Sequence, residues 1–385
     1  MAERVLILGA SARAAAASAR RAGLDPFAID LFADRDTKQI CEVLRCPFED
    51  YPEGLFRLAR TAPPMPWMYT GGLENYPELV GELAKERELW GNGPEVLKQV
   101  RGPGILQQTL AHRGFSFPTV VAPGETAHPG KWLRKPLRGA GGMGVNFATE
   151  DDLTHIDDPE CDFYLEEFIA GQPMSANFVA GESWCDLCSV TTQLIGTSWL
   201  HADRFQYAGN VLVPADESDP LIQCFISLAD AGRPPVRHVW GLDFIRTSSS
   251  IFPVDLNPRY TSAMELLEFA SNCSIIIENT DCVARHPSTW RIVGKAIYYA
   301  PAQITFPASG PWDDSLARAA DVWTRPDFAD IPHPGDVIEA GQPILTILTD
   351  ADTEAGCLAQ LKARAAELDR LFGFATPTED EPCPP

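Results

Sequence analysis

Residues 240–265 read WGLDFIRTSSSIFPVDLNPRYTSAME and bring Asp243, Asp255, Asn257 and Arg259 within seventeen positions. Two strand-like runs flank Ser248, Ser249 and Ser250, and a turn symmetric about Ser249 sets Asp243 opposite Asp255. Side chains alternate faces along a strand. Trp240, Leu242, Phe244, Phe252, Val254 and Leu256 are therefore expected on one apolar face, and Asp243, Asp255 and Asn257 on the other. Like charges directly opposite each other destabilise a strand pair, so the two aspartates call for a cation between them. Two carboxylates and an amide oxygen are hard ligands of the kind Mg²⁺ takes beside substrate phosphates. Arg259 follows two residues after Asn257.

A second stretch supplies the anion side of such a site. Lys135 ends a strand-like run and is followed by four glycines in six residues: Gly139, Gly141, Gly142 and Gly144. Without Cβ atoms, their backbone N–H groups can converge on an anion. The lysine precedes the glycines and no Gly-Lys-Ser/Thr closes the loop, so this is not a Walker A motif. Lys131, Arg134, Lys135 and Arg138 fall within eight residues and suggest a place to hold phosphates.

Elements must position these groups. VLILGAS (5–11), an Ala-rich helix over about 12–22 and PFAIDLFAD predict a βαβ start of a Rossmann-like domain. The turn holds only Gly9, so the GxGxxG dinucleotide fingerprint is absent. PWMYTGGLENYPELV (66–80) predicts a strand, a turn and a helix, with Gly71, Gly72, Glu74 and Asn75 at a strand's carboxyl end, where open α/β sheets bind ligands. A helix from 105 and strands at KWLRKP, VNFAT and DFYLEEFI predict a small α+β unit. A hairpin turning at Gly181-Glu182, a helix near 217–231 and the 240–257 hairpin predict a second. Pro and Gly punctuation in DIPHPGDVIEAGQPILTIL predicts short strands and tight turns before a closing amphipathic helix.

The order of lysine, glycine loop and acidic hairpin resembles the ATP-grasp superfamily, which uses ATP to activate a carboxylate for coupling to a nucleophile. The resemblance implies phosphate contacts from Lys135 and from Gly139, Gly141, Gly142 and Gly144. It implies an adenine-contacting hinge at Glu166, Glu167, Phe168 and Ile169, within EEFIAG. It implies Mg²⁺ or Mn²⁺ on Asp243, Asp255 and Asn257, and Arg259 facing the reacting acyl phosphate, so that Lys135 and Arg259 carry the catalysis. Asp255 stands where the family has a longer Glu, and Gln172-Pro173-Met174 replaces its ribose-binding acid. The implied architecture is α/β and α+β: a Rossmann-like domain over 1–98, a small lobe over 99–172, a large lobe over 173–290, a β-rich region with a closing helix over 291–375, and a disordered tail over 376–385.

GGLENYP, GNGPEVL, EEFIAGQPMS, VDLNPRYTSAMELLE and DIPHPGDVIEAGQPILTIL narrow the resemblance to carboxylate–amine ligases related to biotin carboxylase. That branch is associated with methanofuran- and tetrahydromethanopterin-linked C1 metabolism, which implies a tyramine/glutamate-type ligation. Two other readings stand beside it: biotin-carboxylase-like carboxylation, and a non-catalytic ATP-binding protein. After Arg291 only Lys295 and Lys362 occur, neither in a Met-Lys-Met context, so no built-in biotin carrier is expected. Arg204, Tyr207 and Asn210 are candidate substrate contacts, and Glu265 is a candidate to orient Arg259.

The 385 residues predict two to three domains, and 45% hydrophobic with 22% charged residues is ordinary globular composition. A net charge of −22 argues against nucleic-acid and anionic-membrane partners. The amino terminus lacks a signal-peptide core, and no run reaches about eighteen apolar residues, so a cytoplasmic location is expected. The ten cysteines are then expected as thiols, with the Cys185/Cys188 pair structural. A homodimer is expected by analogy.

Overall fold

Residues 2–110, 115–214, 220–231, 235–276 and 291–375 are described by a computed structural model of the chain. The apolar run at the start forms β1 (Arg4–Leu8), with Val5, Leu6, Ile7 and Leu8 all fully buried, as befits the interior of a parallel sheet. It pairs in parallel with β2 (Asp25–Asp30) and β4 (Trp67–Tyr69). β3 (Glu42–Arg45) lies outside β2, giving the order β3-β2-β1-β4. The helix Arg13–Arg21 crosses between β1 and β2 and stops at Gly23, whose φ of +79° suits glycine. Where a dinucleotide site would bring phosphate to this helix start, the buried Asp30 carboxylate instead accepts from the backbone of Ala12, Phe32 and Ala33. The missing fingerprint and the filled helix end agree.

The small lobe is a four-stranded antiparallel sheet of β5 (Val120–Val121), β6 (Trp132–Pro136), β7 (Asn146–Phe147) and β8 (Phe163–Glu167), in the order β5-β8-β6-β7. The chain then enters an eight-stranded sheet. Its strands are β9 (Gln172–Ala180), β10 (Cys185–Ile195), β11 (Tyr207–Val213), β12 (His238–Arg246), β13 (Ile251–Asn257), β14 (Ile292–Tyr299), β16 (Phe328–Ala329) and β18 (Pro343–Ala351). Their order is β13-β12-β9-β10-β11-β14-β18-β16. β15 (Ile304–Thr305) and β17 (Val337–Ile338) form a separate pair. Strands after residue 291 thus extend the sheet that carries the acidic hairpin. The closing helix Glu354–Phe372 is capped by Thr353, whose hydroxyl accepts from Gly356 N, and it ends at Gly373.

After the hairpin the chain bends at Arg259 and turns at Ser262 and Ala263 before the helix that begins at Met264. Two expectations change. Cys273 is disulfide-bonded, so the cysteines are not all thiols, although Cys185 and Cys188 are free and buried. Phe252 and Val254 leave the apolar face: the β12–β13 register shifts between Asp243 and Phe244, and Pro253 takes the place opposite Phe244. One extra residue flips those behind it to the other face. The predicted tail at 376–385 lies outside the described residues. Among those residues, no helix is long and apolar enough to cross a membrane.

Candidate active site

The same bulge preserves the pairing that matters. Asp243 sits directly opposite Asp255, and Gly241 opposite Asn257. Burial pushes the Asp243 carboxyl up to about 7, and Asp255 across the strand pair adds to the rise. Arg259 and hydrogen bonds from Asn257 and Gln193 work against it. Asp243 accepts from Gln193 Nε2 at 3.0 Å and from Asn257 Nδ2 at 2.9 Å. Asp255 accepts from Arg101 Nη1. Asn257 Oδ1 accepts from Arg259 Nη2 at 2.8 Å, so this amide bridges acid and arginine. A hard cation fits a facing carboxylate pair of this kind. Among the described residues no cluster of three or more His, Cys, Asp or Glu side chains is placed to hold a metal, so any third ligand must be an amide, water or phosphate oxygen.

Arg259 is held by the turn after β4. Its Nε and Nη2 both donate to Glu74 Oε1, and its guanidinium carbon lies 3.4 Å from where a Cβ on Gly71 would sit. Although burial alone would raise the Glu74 carboxyl, Arg259 and Arg101 hold it below the usual carboxylate range. Glu265 does not orient Arg259: its carboxylate takes Arg13 Nη1 at 2.6 Å and Lys295 Nζ at 2.8 Å. Its helix turns it toward the first sheet and β14.

Lys135 Nζ donates to Glu166 Oε1 at 3.0 Å. Burial works against the ammonium, but Glu166, Tyr164 and Asp255 outweigh it and raise its pKa, so Lys135 is cationic. The four basic residues expected together are not gathered. Arg134 turns outward to Asp152 and Asp162, Arg138 lies over Tyr76, and Lys131 lies over Phe147 and Phe168. Strand alternation separates Arg134 from Lys135. Gly139, Gly141, Gly142 and Gly144 form the loop between β6 and β7. Gly141, Gly142 and Gly144 have positive φ, and Tyr207 N donates to Gly141 O at 2.9 Å.

In the hinge, Glu166 is buried against Lys135, and Glu167 accepts from the backbone and hydroxyl of Thr119. Phe168 N donates to Lys131 O, and Ile169 is partly exposed. Phe168 meets Phe147 edge-on at 5.1 Å, Phe147 meets Phe205 at 5.2 Å, and Arg204 covers Phe147. Of the three candidate substrate contacts, Arg204 thus belongs to this aromatic group, while Tyr207 donates to Asn210 Oδ1 and Asn210 to Thr191. Sequence reasoning missed Arg101, Gln193, Phe147 and Phe205. They come from different strands and loops with no local motif.

Residues 105–263 match the ATP-grasp domain family. An uncharacterized protein of Methanocaldococcus jannaschii is 23% identical over 269 residues, which is 67% of this chain and 63% of that protein, so the match spans less than two thirds of the relative. The L-amino acid ligase of Bacillus licheniformis superposes with a TM-score of 0.66 at 12% identity, covering 95% of this chain and 97% of that one. The biotin carboxylase domain of the Hydrogenobacter thermophilus 2-oxoglutarate carboxylase, crystallised with MgADP, ADP and bicarbonate, gives 0.67 at 12% identity, over 93% of this chain and 88% of that one. Identities this low speak for the fold alone. Residues 105–263 thus match an ATP-grasp domain, and the strands and helices of the chain are arranged in the ATP-grasp fold.

Proposed function

We propose that the chain is an ATP-dependent ligase that activates a carboxylate as an acyl phosphate and couples it to an amine. The observation that carries this reading is the partly buried Asp243 facing Asp255, with the cations Lys135, Arg101 and Arg259 all within electrostatic reach of Asp255. Such a site can neutralise a triphosphate on one side and hold a divalent cation on the other. Asp243, Asp255 and Asn257 would hold Mg²⁺ or Mn²⁺, which when bound supplies charge neutralisation at the phosphate oxygens. Lys135 and the backbone of 139–144 would hold the phosphates, and 166–169 with Phe147 would receive the adenine.

A free carboxylate resists attack because oxide is its leaving group. Transfer of the γ-phosphoryl group to a substrate carboxylate oxygen releases ADP and gives an acyl phosphate. The amine then attacks the carbonyl carbon, phosphate departs with its bonding pair, and the nitrogen loses a proton. Arg259 would bind the substrate carboxylate and stabilise the oxyanion. Glu74 occupies its Nε–Nη2 edge, and Nη1, which donates to the Tyr260 carbonyl at 3.3 Å, has a second N–H to offer substrate.

The finer reading is a tyramine/glutamate-type ligation in methanofuran-type cofactor synthesis, in a cytoplasmic and homodimeric enzyme. It rests on motif resemblance. A carboxylation reading is favoured by the likeness to a domain crystallised with bicarbonate. One screen separates the readings: ADP release from pairs of carboxylic acids and amines, and from bicarbonate, with product mass spectrometry. Release that needs both an acid and an amine supports the ligase, and release with bicarbonate alone replaces it. Asp243→Ala is the control; turnover at the wild-type rate in that variant would remove the site from the reaction.

A further inference from the structure

Arg101 follows the helix Pro94–Val100 and reaches across to the acidic hairpin. Its Nη1 donates to Asp255 and, at 2.9 Å, to the Leu256 carbonyl. Its Nη2 donates to Asn75 Oδ1 at 2.8 Å. The same Asn75 amide donates through Nδ2 to the Gly139 carbonyl at 2.9 Å. A continuous path thus runs from a carboxylate of the acidic pair, through a guanidinium and an amide, to the first glycine of the phosphate loop. Both ends of it belong to the site, and among the described residues only Arg101 and Gly139 hydrogen-bond the side-chain amide of Asn75.

We propose that Arg101 is the resident counter-cation of Asp255, that a metal ion displaces it, and that the displacement loosens the glycine loop through Asn75. The inference rests on the metal-site reading above. Asp255 is 43% exposed on its side chain, so a hydrated cation can approach it, while Arg101 is 18% exposed. Arg101 holds Oδ1 of Asp255, and a divalent cation on either oxygen of that carboxylate would stand close enough to the guanidinium for strong repulsion. Arg101 must therefore retreat as the cation arrives. Its planar fork is what places Nη2 on Asn75, so movement of one edge moves the other. Asn75 Oδ1 then loses the guanidinium N–H that orients its amide, and Gly139 loses the one side-chain tether it has among the described residues. Arg101 acts here as a positioning residue: it holds the loop down until the metal is seated.

The test uses the full chain without nucleotide and Mn²⁺ as the probe. Mn²⁺ binding is read by electron paramagnetic resonance, and loop opening by hydrogen–deuterium exchange over residues 137–146. In the wild type, saturating Mn²⁺ should raise loop exchange several-fold. Arg101→Gln should show fast loop exchange without metal, no further rise with it, and Mn²⁺ binding about tenfold tighter. Asn75→Ala leaves the carboxylates and Arg101 in place and guards against misfolding of the arginine variant. It should free the loop while keeping wild-type Mn²⁺ affinity. Wild-type loop exchange that ignores bound Mn²⁺ overturns the coupling alone, as does Arg101→Gln binding Mn²⁺ no more tightly. Mn²⁺ binding that is undetectable in the wild type, or unchanged in Asp243→Ala, overturns the metal site and this proposal with it.

Discussion

Arg259 Nε and Nη2 both reach the same oxygen of Glu74, at 2.9 and 2.8 Å, while Glu74 Oε2 is buried without a hydrogen-bond partner among the described residues. The turn after β4 thereby fixes the arginine of a hairpin 185 residues away. Removing one partner of a buried ion pair strands the other charge, at a cost of about 3–5 kcal/mol. Glu74→Ala should therefore lose stability of that order in urea denaturation, and Glu74→Gln, which keeps an acceptor, distinctly less. A loss below about 1 kcal/mol in Glu74→Ala would mean that Arg259 does not depend on this acid.

Lys135 and Glu166 make a second prediction because the pair has both a structural and a ligand role. Lys135→Ala should weaken binding of a non-hydrolysable ATP analogue at least about tenfold, or 1.4 kcal/mol. It also leaves Glu166 buried without its cation, so stability falls too. The double variant Lys135→Ala, Glu166→Gln should recover much of the stability but none of the affinity. Calorimetric titration and thermal melting read the two effects separately. Unchanged nucleotide affinity in the single variant would take Lys135 out of the phosphate site.

Much of this site is legible in the sequence because it is local. Asp243, Asp255 and Asn257 lie on one hairpin, and period-two alternation places all three on one face. The strand of Lys135 and the glycines after it are read the same way. What alternation cannot give is the bulge that turns Phe252 and Val254 aside, since a single inserted residue leaves composition unchanged. Nor can it give Arg101 or Gln193, whose partners lie 154 and 50 residues away. Glu265 shows the opposite error: closeness in sequence suggested Arg259, but helical geometry points it at Arg13 and Lys295.

Gly142 should tolerate no side chain. Its φ is +75°, and a Cβ there would stand 1.9 Å from the Phe205 carbonyl oxygen. A left-handed backbone at an alanine costs about 1–2 kcal/mol, and the clash with fixed backbone adds to it. Gly142→Ala should lift the loop from the segment that precedes β11 and break the bond from Tyr207 N to Gly141 O. Limited proteolysis should then cut within 137–146 several-fold faster, with the melting temperature little changed. Cleavage at the wild-type rate would show that the loop is not seated on Phe205.

Acid should act first on the buried network that joins the first sheet to the large one. Glu265 takes Arg13 and Lys295, and Arg13 also reaches Asp330 at 2.8 Å. Burial would raise the Glu265 carboxyl, but Arg13 and Lys295 outweigh it and hold it well below the usual carboxylate range. With its folded pKa depressed, its contribution to stability is complete above the unfolded value of about 4.5 and is lost as pH falls further. Asp36 in the same network is pushed up to about 6 by burial and has the opposite sign. Its contribution is complete below about 3.8 and is lost as pH rises through 6. Below pH 3.8 Asp36 is therefore flat and the loss from Glu265 is unopposed. Glu265→Gln should be less stable at neutral pH, because Arg13 and Lys295 lose their shared carboxylate. Its stability should also fall less steeply below pH 3.8, by about one proton's worth, or 1.4 kcal/mol per pH unit. Asp330 and Glu74 have depressed pKa values as well, so the acid slope should shrink without vanishing. Urea midpoints measured at intervals from pH 2.5 to pH 7 read both effects. An acid slope identical in the variant and the wild type would mean that Glu265 does not hold its charge through this network.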